Sequence, residues 1–126
     1  MEEGQNMNVK IQFLSEPSVQ ADVGFMFVTT NDSVVLINNE ALMIPKGFKT
    51  DLASIPRILW SIFPPQKSEF VTPSILHDYM YTIRYKNDRA LADEVFYEAI
   101  KLKGASTITS LLMWSSLRLF GESHYG

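Results

Sequence analysis

A histidine and an aspartate stand side by side in an otherwise apolar stretch of the chain, SILHDYMY. If this stretch is a helix, His77 and Tyr81 are four residues apart and share one face. A short polar turn centred near Lys86 lies about midway between His77 and Asp93 in the sequence. If the helices on both sides of this turn form a hairpin, the two residues face each other. A carboxylate in that position fixes the tautomer of an imidazole. The sequence therefore predicts a catalytic group in which His77 is a general base, oriented by Asp93 and Tyr81.

Asp78 is the candidate ligand for a metal ion. On a helix it points about 100 degrees away from His77. Its carboxylate could therefore bind a hard cation while His77 acts on a water molecule beside it. The cation would be divalent, with calcium, magnesium and manganese all open. We predict Asp51, in the stretch FKTDLASIPR, as a second ligand of the same ion.

Ser54 and Arg57 are the candidate substrate-binding residues. They flank a predicted helix start, where backbone N–H groups can bind an anion. The guanidinium of Arg57 could bind a phosphate or carboxylate through two hydrogen bonds. The alternative is structural, with Ser54 or Asp51 capping the helix and Asp51 paired with Arg57.

The His77 cluster also has a structural interpretation. A histidine–aspartate pair in a helix hairpin can be a satisfied buried network, in which Asp93 is also paired with Arg89, four residues earlier. Polar groups in an apolar hairpin cost stability unless all are satisfied, and functional sites often carry such a cost. Both interpretations are therefore kept open.

Strands are expected in residues 8–45, after a flexible terminus at 1–7. The stretch VKIQFL alternates apolar and polar residues, as a half-buried strand does. Polar turns at 31–33 and 38–40 separate the later apolar stretches, which predicts an antiparallel meander. The predicted strands are 9–14, 24–30, 34–37 and 41–45.

Helices are expected in residues 46–121. A short one begins near Pro56 and ends at the Pro64–Pro65 pair, and residues 66–71 form a loop. Thr72 caps the next helix, with Pro73 in its first turn and its end at Ile83 or Tyr85. The remaining expectations are a helix over 89–103 with Asp88 as N-cap and Gly104 as C-cap, a last helix from Ser106 or Thr107 to Gly121, and core positions for Trp60, Phe63, Trp114 and Phe120.

These elements predict an α+β fold, in which a small N-terminal antiparallel sheet precedes a helical half that contains an antiparallel helix hairpin. The 126 residues, of which 46% are hydrophobic, suit a single domain over 1–126. The net charge of -3 argues against general nucleic-acid binding. The absence of cysteine excludes disulfides and thiol nucleophiles. The polar start and the lack of a long apolar run predict no secretory signal, no transmembrane segment and a cytoplasmic location.

Four strings of the chain, in this order, resemble a family of small phage and prophage proteins that carry a domain of unknown function. The resemblance covers residues 45–121 and implies a phage accessory protein in the cytoplasm of a host cell, without an established activity. The strings are TDLASIPR (50–57), HDYMY (77–81), RALADEVFYEAI (89–100) and RLFG (118–121).

The string HDYMY is also similar, over a shorter stretch, to the His-Asp-x-x-Tyr site of phospholipases A2. That resemblance implies His77 as the base that activates water, Asp78 as a calcium ligand, and Tyr81 and Asp93 as the groups that orient His77. The chain departs from those enzymes because it has no glycine between residues 63 and 76 and no cysteine.

Three functions are consistent with these residues. The first is a metal-assisted hydrolase with His77 as general base and an unknown small-molecule substrate. The second is a non-enzymatic phage protein that binds a host protein or a small ligand, for example as a counter-defence factor. The third is a component of the virion or of its assembly.

Overall fold

The computed structural model describes residues 9–24, 26–52, 61 and 68–125. Within them, two small antiparallel sheets precede three helices, which confirms the α+β class. The predicted terminus at 1–7 and the short helix after Pro56 lie outside the described residues, as do Ser54 and Arg57. No helix of the described part is long and apolar enough to cross a membrane. The strands are β1 (Ile11–Phe13), β2 (Val19–Ala21), β3 (Phe27–Thr29), β4 (Ser33–Ile37), β5 (Glu40–Ile44) and β6 (Lys49–Thr50).

The first sheet has the order β1-β4-β5. Its β4–β5 hairpin was predicted and is confirmed, with Ile37 opposite Glu40 across the turn. Asn38 and Asn39 form this turn with φ of 51° and 69°. Both values lie in the left-handed region, which asparagine tolerates and which a two-residue hairpin requires.

The second sheet has the order β2-β3-β6, so the predicted meander is wrong in one place. β3 pairs with β2 and β6 and not with β4. Asn31 explains the difference, because its side chain is not part of a hairpin turn. Its Oδ1 accepts from the N–H of Ser18 at 2.8 Å, and its Nδ2 donates to the carbonyl of Glu16 at 3.1 Å. The chain therefore leaves one sheet and enters the other at this residue.

Three helices follow, α1 (Ser68–Ile83), α2 (Arg89–Leu102) and α3 (Thr107–Phe120). The predicted start at Thr72 is wrong, because α1 begins at Ser68 and Pro73 lies inside it. The predicted loop is therefore wrong over 68–71, while residues 66–67 lie outside the described residues. Proline removes one helical hydrogen bond, but Phe70 is fully buried in a cluster with Phe96. Packing of the first turn therefore outweighs the local preference to begin the helix at the proline.

The remaining helix ends follow the prediction. Asp88 caps α2 by accepting from the N–H of Leu91 at 3.0 Å, and Ser106 caps α3 by accepting from Thr109 at 3.1 Å. At the end of α2, Gly104 has a φ of 109°, and the N–H of Ala105 reaches the carbonyl of Ile100 at 2.9 Å. This is a Schellman motif, which favours glycine.

Two apolar clusters position the helices. One joins the strands to α1 and the start of α2, and the other lies among the three helices. Phe120 was predicted in the core and is instead 62% exposed, while Trp114 is half-buried. The buried members of the first cluster include Val35, Ile37, Ile44, Ile75, Leu76 and Met80, and those of the second are Phe70, Phe96, Ile100, Met113 and Leu117.

Candidate functional site

His77 and Asp93 meet between α1 and α2. Nε2 of His77 lies 2.8 Å from Oδ1 of Asp93, and the two side chains are 2% and 0% exposed. The imidazole also packs against aromatic rings, with centroids 4.1 Å from Tyr81 and 5.2 Å from Phe96. The predicted contact across the helix hairpin is therefore confirmed, and it lies in the interior.

Tyr81 completes the face of α1 that meets Asp93. Its hydroxyl donates to Oδ1 of Asp93 at 2.5 Å, so this oxygen contacts both His77 and Tyr81. Burial raises the pKa of the Tyr81 phenol, and the hydrogen bond to Asp93 and its negative charge raise it further. Arg89 lowers this pKa by a smaller amount. Tyr81 is therefore a persistent hydrogen-bond donor to the carboxylate.

The second oxygen of Asp93 faces a cation from the last helix. Nη1 of Arg118 donates to Oδ2 at 2.7 Å, and Nη1 of Arg89 lies 3.7 Å from the same atom. Burial raises the pKa of the Asp93 carboxyl, but His77, Tyr81 and Arg118 together lower it by more. The net pKa lies below the usual range, so Asp93 is a carboxylate although it is fully buried.

Arg89 has a further role as a link between α2 and α3. Its guanidinium donates to the carbonyl oxygen of Leu117 at 3.0 Å and to that of Arg118 at 3.3 Å. The last carbonyls of a helix have no partner within the helix. Arg89 therefore holds the C-terminal end of α3 next to the site. This role is additional to the predicted ion pair with Asp93.

Two residues of the site were not predicted, Arg118 and Gly121. The signal for Arg118 is that it is the only charged residue in α3, on a helix that is otherwise apolar or weakly polar. Gly121 is needed because the chain passes close to the site. A Cβ atom at this position would lie 2.7 Å from the hydroxyl of Tyr81 and 2.6 Å from the carbonyl of Leu117.

The predicted metal ligands are not gathered into a larger group. Asp78 is partly buried on α1, and Asp51 is exposed after β6. No set of three or more His, Asp or Glu side chains arranged to hold a metal ion occurs within the described ranges. The roles of Asp78 and Asp51 as cation ligands stay predictions, as do the substrate-binding roles of Ser54 and Arg57.

The turn after β6 is strained. Leu52 has a φ of 57° and is 2% exposed. Its N–H donates to the hydroxyl of Thr50 at 3.0 Å, and Thr50 is itself buried. A left-handed conformation costs a residue other than glycine about 1–3 kcal/mol, and such strain is concentrated at functional sites. The strain therefore marks the stretch that contains Asp51.

A family model described as a protein of unknown function, DUF1353, matches residues 28–117. The chain belongs to the DUF1353 family. The match includes His77, Tyr81, Arg89 and Asp93 and ends immediately before Arg118. The resemblance to a family without an assigned function is thereby confirmed, while phage origin and likeness to phospholipases A2 stay predictions. No curated protein and no solved structure matches the chain.

The contact with Asp93 bears on the protonation of the imidazole in this DUF1353 chain. When a neutral imidazole donates from Nε2 to Asp93, the other nitrogen, Nδ1, does not carry the proton. A carboxylate beside Nε2 also stabilises an imidazolium. The role of His77 as a general base stays a prediction.

Proposed function

We propose that this DUF1353 protein is a hydrolase in which His77 is the general base and Asp93 orients its imidazole. The observation that carries the proposal is the buried contact of 2.8 Å between Nε2 of His77 and Oδ1 of Asp93. Nδ1 removes a proton from a water molecule as its oxygen attacks the carbon of an ester or the phosphorus of a phosphodiester. The imidazolium then returns the proton to the leaving oxygen.

The cost of the network supports this role. Burying charged groups is expensive, and well-packed apolar residues of similar volume are often at least as stable. Here the pKa of a fully buried carboxyl is kept low by its contacts with His77, then Tyr81, then Arg118. A pre-oriented general base would explain why this free-energy cost is retained, since general-base catalysis contributes about 10²–10⁴-fold to a rate.

We further propose the setting and the cation. The resemblance of the four strings to phage and prophage proteins supports an accessory role in the cytoplasm of a host cell. A divalent cation bound by Asp78 and Asp51 would polarise the bond under attack. Arg57 and Ser54 would bind the anionic group of the substrate.

The test of the base is hydrolysis of p-nitrophenyl esters and bis-p-nitrophenyl phosphate by the wild type and His77→Gln. We expect His77→Gln to lose at least about 100-fold in kcat/KM, because glutamine keeps a donor for Asp93 but cannot accept the proton. His124→Gln is the matched control, at the only other histidine of the chain. Equal turnover by His77→Gln, with unchanged circular dichroism, would overturn the proposal.

A second test needs no substrate. Long-range ¹H–¹⁵N correlation spectra distinguish the two neutral tautomers of His77 from the imidazolium. We expect a neutral ring that is protonated on Nε2, since this nitrogen faces Asp93. An imidazolium at every pH at which the protein is folded would mean that His77 is a fixed cation and not a base.

The cation is tested by thermal unfolding in EDTA and in calcium, magnesium or manganese chloride. A cation at about one hundred times its dissociation constant stabilises the folded state by about 2.7 kcal/mol. We expect this stabilisation to raise the melting temperature of the wild type. The cation should not raise the melting temperature of Asp78→Asn. An equal increase in both proteins would exclude Asp78 as the ligand.

Binding of a host protein is the second candidate function. The observation that favours it is the exposed apolar surface of α3, where Leu111, Leu112 and Phe120 are 48%, 45% and 62% exposed. Exposed large apolar side chains on one helix are a feature of interaction sites.

A further inference from the structure

A groove with both acidic and aromatic walls runs between α2 and α3. It has a volume of about 90 Å³. Pockets for drug-sized ligands have about 300–1,000 Å³, so this groove is suited to the end of one side chain. Its lining residues are Glu94, Tyr97 and Glu98 of α2 and Leu111 and Trp114 of α3.

Two carboxylates form the acidic wall of the groove. Within the described part of the chain, neither Glu94 nor Glu98 makes an ion pair or a hydrogen bond. Glu94 is only 4% exposed. Burial raises the pKa of the Glu94 carboxyl, as do Glu98 and Asp93, and Arg118 opposes them with a smaller effect. A cation placed between Glu94 and Glu98 would relieve this repulsion.

The aromatic walls are also suited to a cation. Indole and phenol faces attract ammonium and guanidinium groups. Tyr97 already has this contact within the chain, because Nζ of Lys101 lies 4.9 Å from the centre of its ring. Trp114 offers the second aromatic surface of the groove.

The indole of Trp114 offers its ring, and not its N–H group, to a ligand in the groove. Its Nε1 atom is enclosed by the protein and has no hydrogen-bond partner in the described structure. A ligand that brings a cation into such a small space, beside two carboxylates and two aromatic rings, is a lysine or arginine side chain.

An apolar stripe borders the groove along α3. Ile108, Leu111 and Leu112 are three and four residues apart, so they share one face. They are 79%, 48% and 45% exposed. Apolar side chains on both sides of the basic residue would cover this stripe.

We propose that the groove between α2 and α3 binds a basic, partly apolar peptide segment of another protein. A lysine or arginine side chain of the partner lies between Glu94 and Glu98, against the ring of Trp114. Apolar residues of the partner, on both sides of its lysine or arginine, pack against Leu111 and Leu112. This binding is separate from hydrolysis, since the described lining of the groove comes from α2 and α3 and does not include His77.

The probe is a fluorescein-labelled octapeptide of alternating lysine and leucine, followed by fluorescence anisotropy. We expect saturable binding to the wild type and a loss of at least tenfold in affinity in the double variant Glu94→Gln/Glu98→Gln. The matched control is Glu40→Gln/Glu122→Gln, which removes the same charge outside the groove.

Several results would overturn the proposal. One is the absence of saturable binding at peptide concentrations up to millimolar. Another is an affinity of the Glu94→Gln/Glu98→Gln variant equal to that of the wild type. The third is binding of a glutamate–leucine octapeptide to the wild type with the same affinity as the lysine–leucine octapeptide. A dimer in sedimentation equilibrium that Leu111→Glu dissociates would assign the face to a second copy of the chain instead. His77→Gln should bind the lysine peptide as the wild type does, which separates this test from that of the hydrolase.

Discussion

Arg118 and Asp93 are 25 residues apart in the chain, and Nη1 of Arg118 lies 2.7 Å from Oδ2 of Asp93. The contact joins the last turn of α3 to the fully buried carboxylate of α2. It supplies a cation to a site whose oxygen Oδ1 already faces His77 and Tyr81. The position of α3 and the ionisation of Asp93 therefore depend on each other.

Arg118→Met is expected to destabilise the protein by about 1–2 kcal/mol. Hydrogen bonds to charged groups contribute about 1.5–3 kcal/mol, and the partial exposure of Arg118 reduces this figure. Urea denaturation measures the effect, with Arg84→Met as the control because Arg84 is exposed and its guanidinium lies over the ring of Tyr125, away from Asp93. Equal midpoints for the two variants would show that the ion pair contributes nothing to stability.

The stability that Asp93 provides should disappear in acid. Its folded-state pKa is lowered, so the contribution is complete above the unfolded value of about 3.9 and is lost as the pH falls through the lower folded value. We expect Asp93→Asn to be several kcal/mol less stable than the wild type near neutral pH. The two free energies of unfolding should converge below about pH 4. A difference that is constant with pH would contradict the lowered pKa.

Tyr81 should make the protein sensitive to alkali. Because its folded-state pKa is raised, its contribution is present below about pH 10 and is lost as the pH rises further, when the unfolded tyrosine ionises first. Tyr81→Phe should therefore lower stability at neutral pH by about 1 kcal/mol and weaken the decline above pH 10. Urea denaturation at several pH values measures both effects, and parallel curves for the two proteins would refute the assignment.

Gly121→Ala should destabilise the protein by about 1–3 kcal/mol, the usual cost of overpacking. The added Cβ would lie 2.7 Å from the hydroxyl of Tyr81. Removing this hydroxyl in Tyr81→Phe should reduce the cost of the alanine, although the carbonyl of Leu117 stays close. A double-mutant cycle measures this coupling, and strictly additive effects would show that the hydroxyl is not the obstacle.

Glu94→Gln should stabilise the protein while it weakens peptide binding. The folded-state pKa of Glu94 is raised, so ionisation at neutral pH disfavours folding. The variant should therefore melt at a higher temperature than the wild type at pH 7, and this advantage should shrink as the pH falls towards 4. A lower melting temperature at pH 7 would show that the buried carboxylate is paired.

The helix hairpin and its histidine–aspartate contact were predictable because both depend on local rules. The polar break at Asp88 sets the turn, and the helical period then determines which residues face each other. His77, Tyr81 and Asp93 follow from that spacing alone. Their role in catalysis does not follow from it, since a structural network has the same spacing.

The predictions that were wrong concern residues whose positions depend on contacts between distant parts of the sequence. Asn31 has the composition of a turn residue, but it binds residues 16 and 18 and so separates two sheets. Pro73 has the local character of a helix start, but buried Phe70 extends α1 by a turn. Phe120 is apolar but faces outward, because only the docking of α3 decides which of its faces is covered. Arg118 enters the site for the same reason.

Arg89 and Arg118 connect α2 to α3 through different kinds of contact, and this difference has an evolutionary consequence. Within α2, Arg89 lies 3.7 Å from Asp93, but towards α3 it donates to backbone carbonyls at positions 117 and 118, which every residue type provides. Arg118 meets a side chain, so the acid at 93 and the base at 118 must change together. Among relatives whose chains align with this one beyond position 117, we therefore expect correlated substitutions between positions 93 and 118, and independent variation between positions 89 and 117.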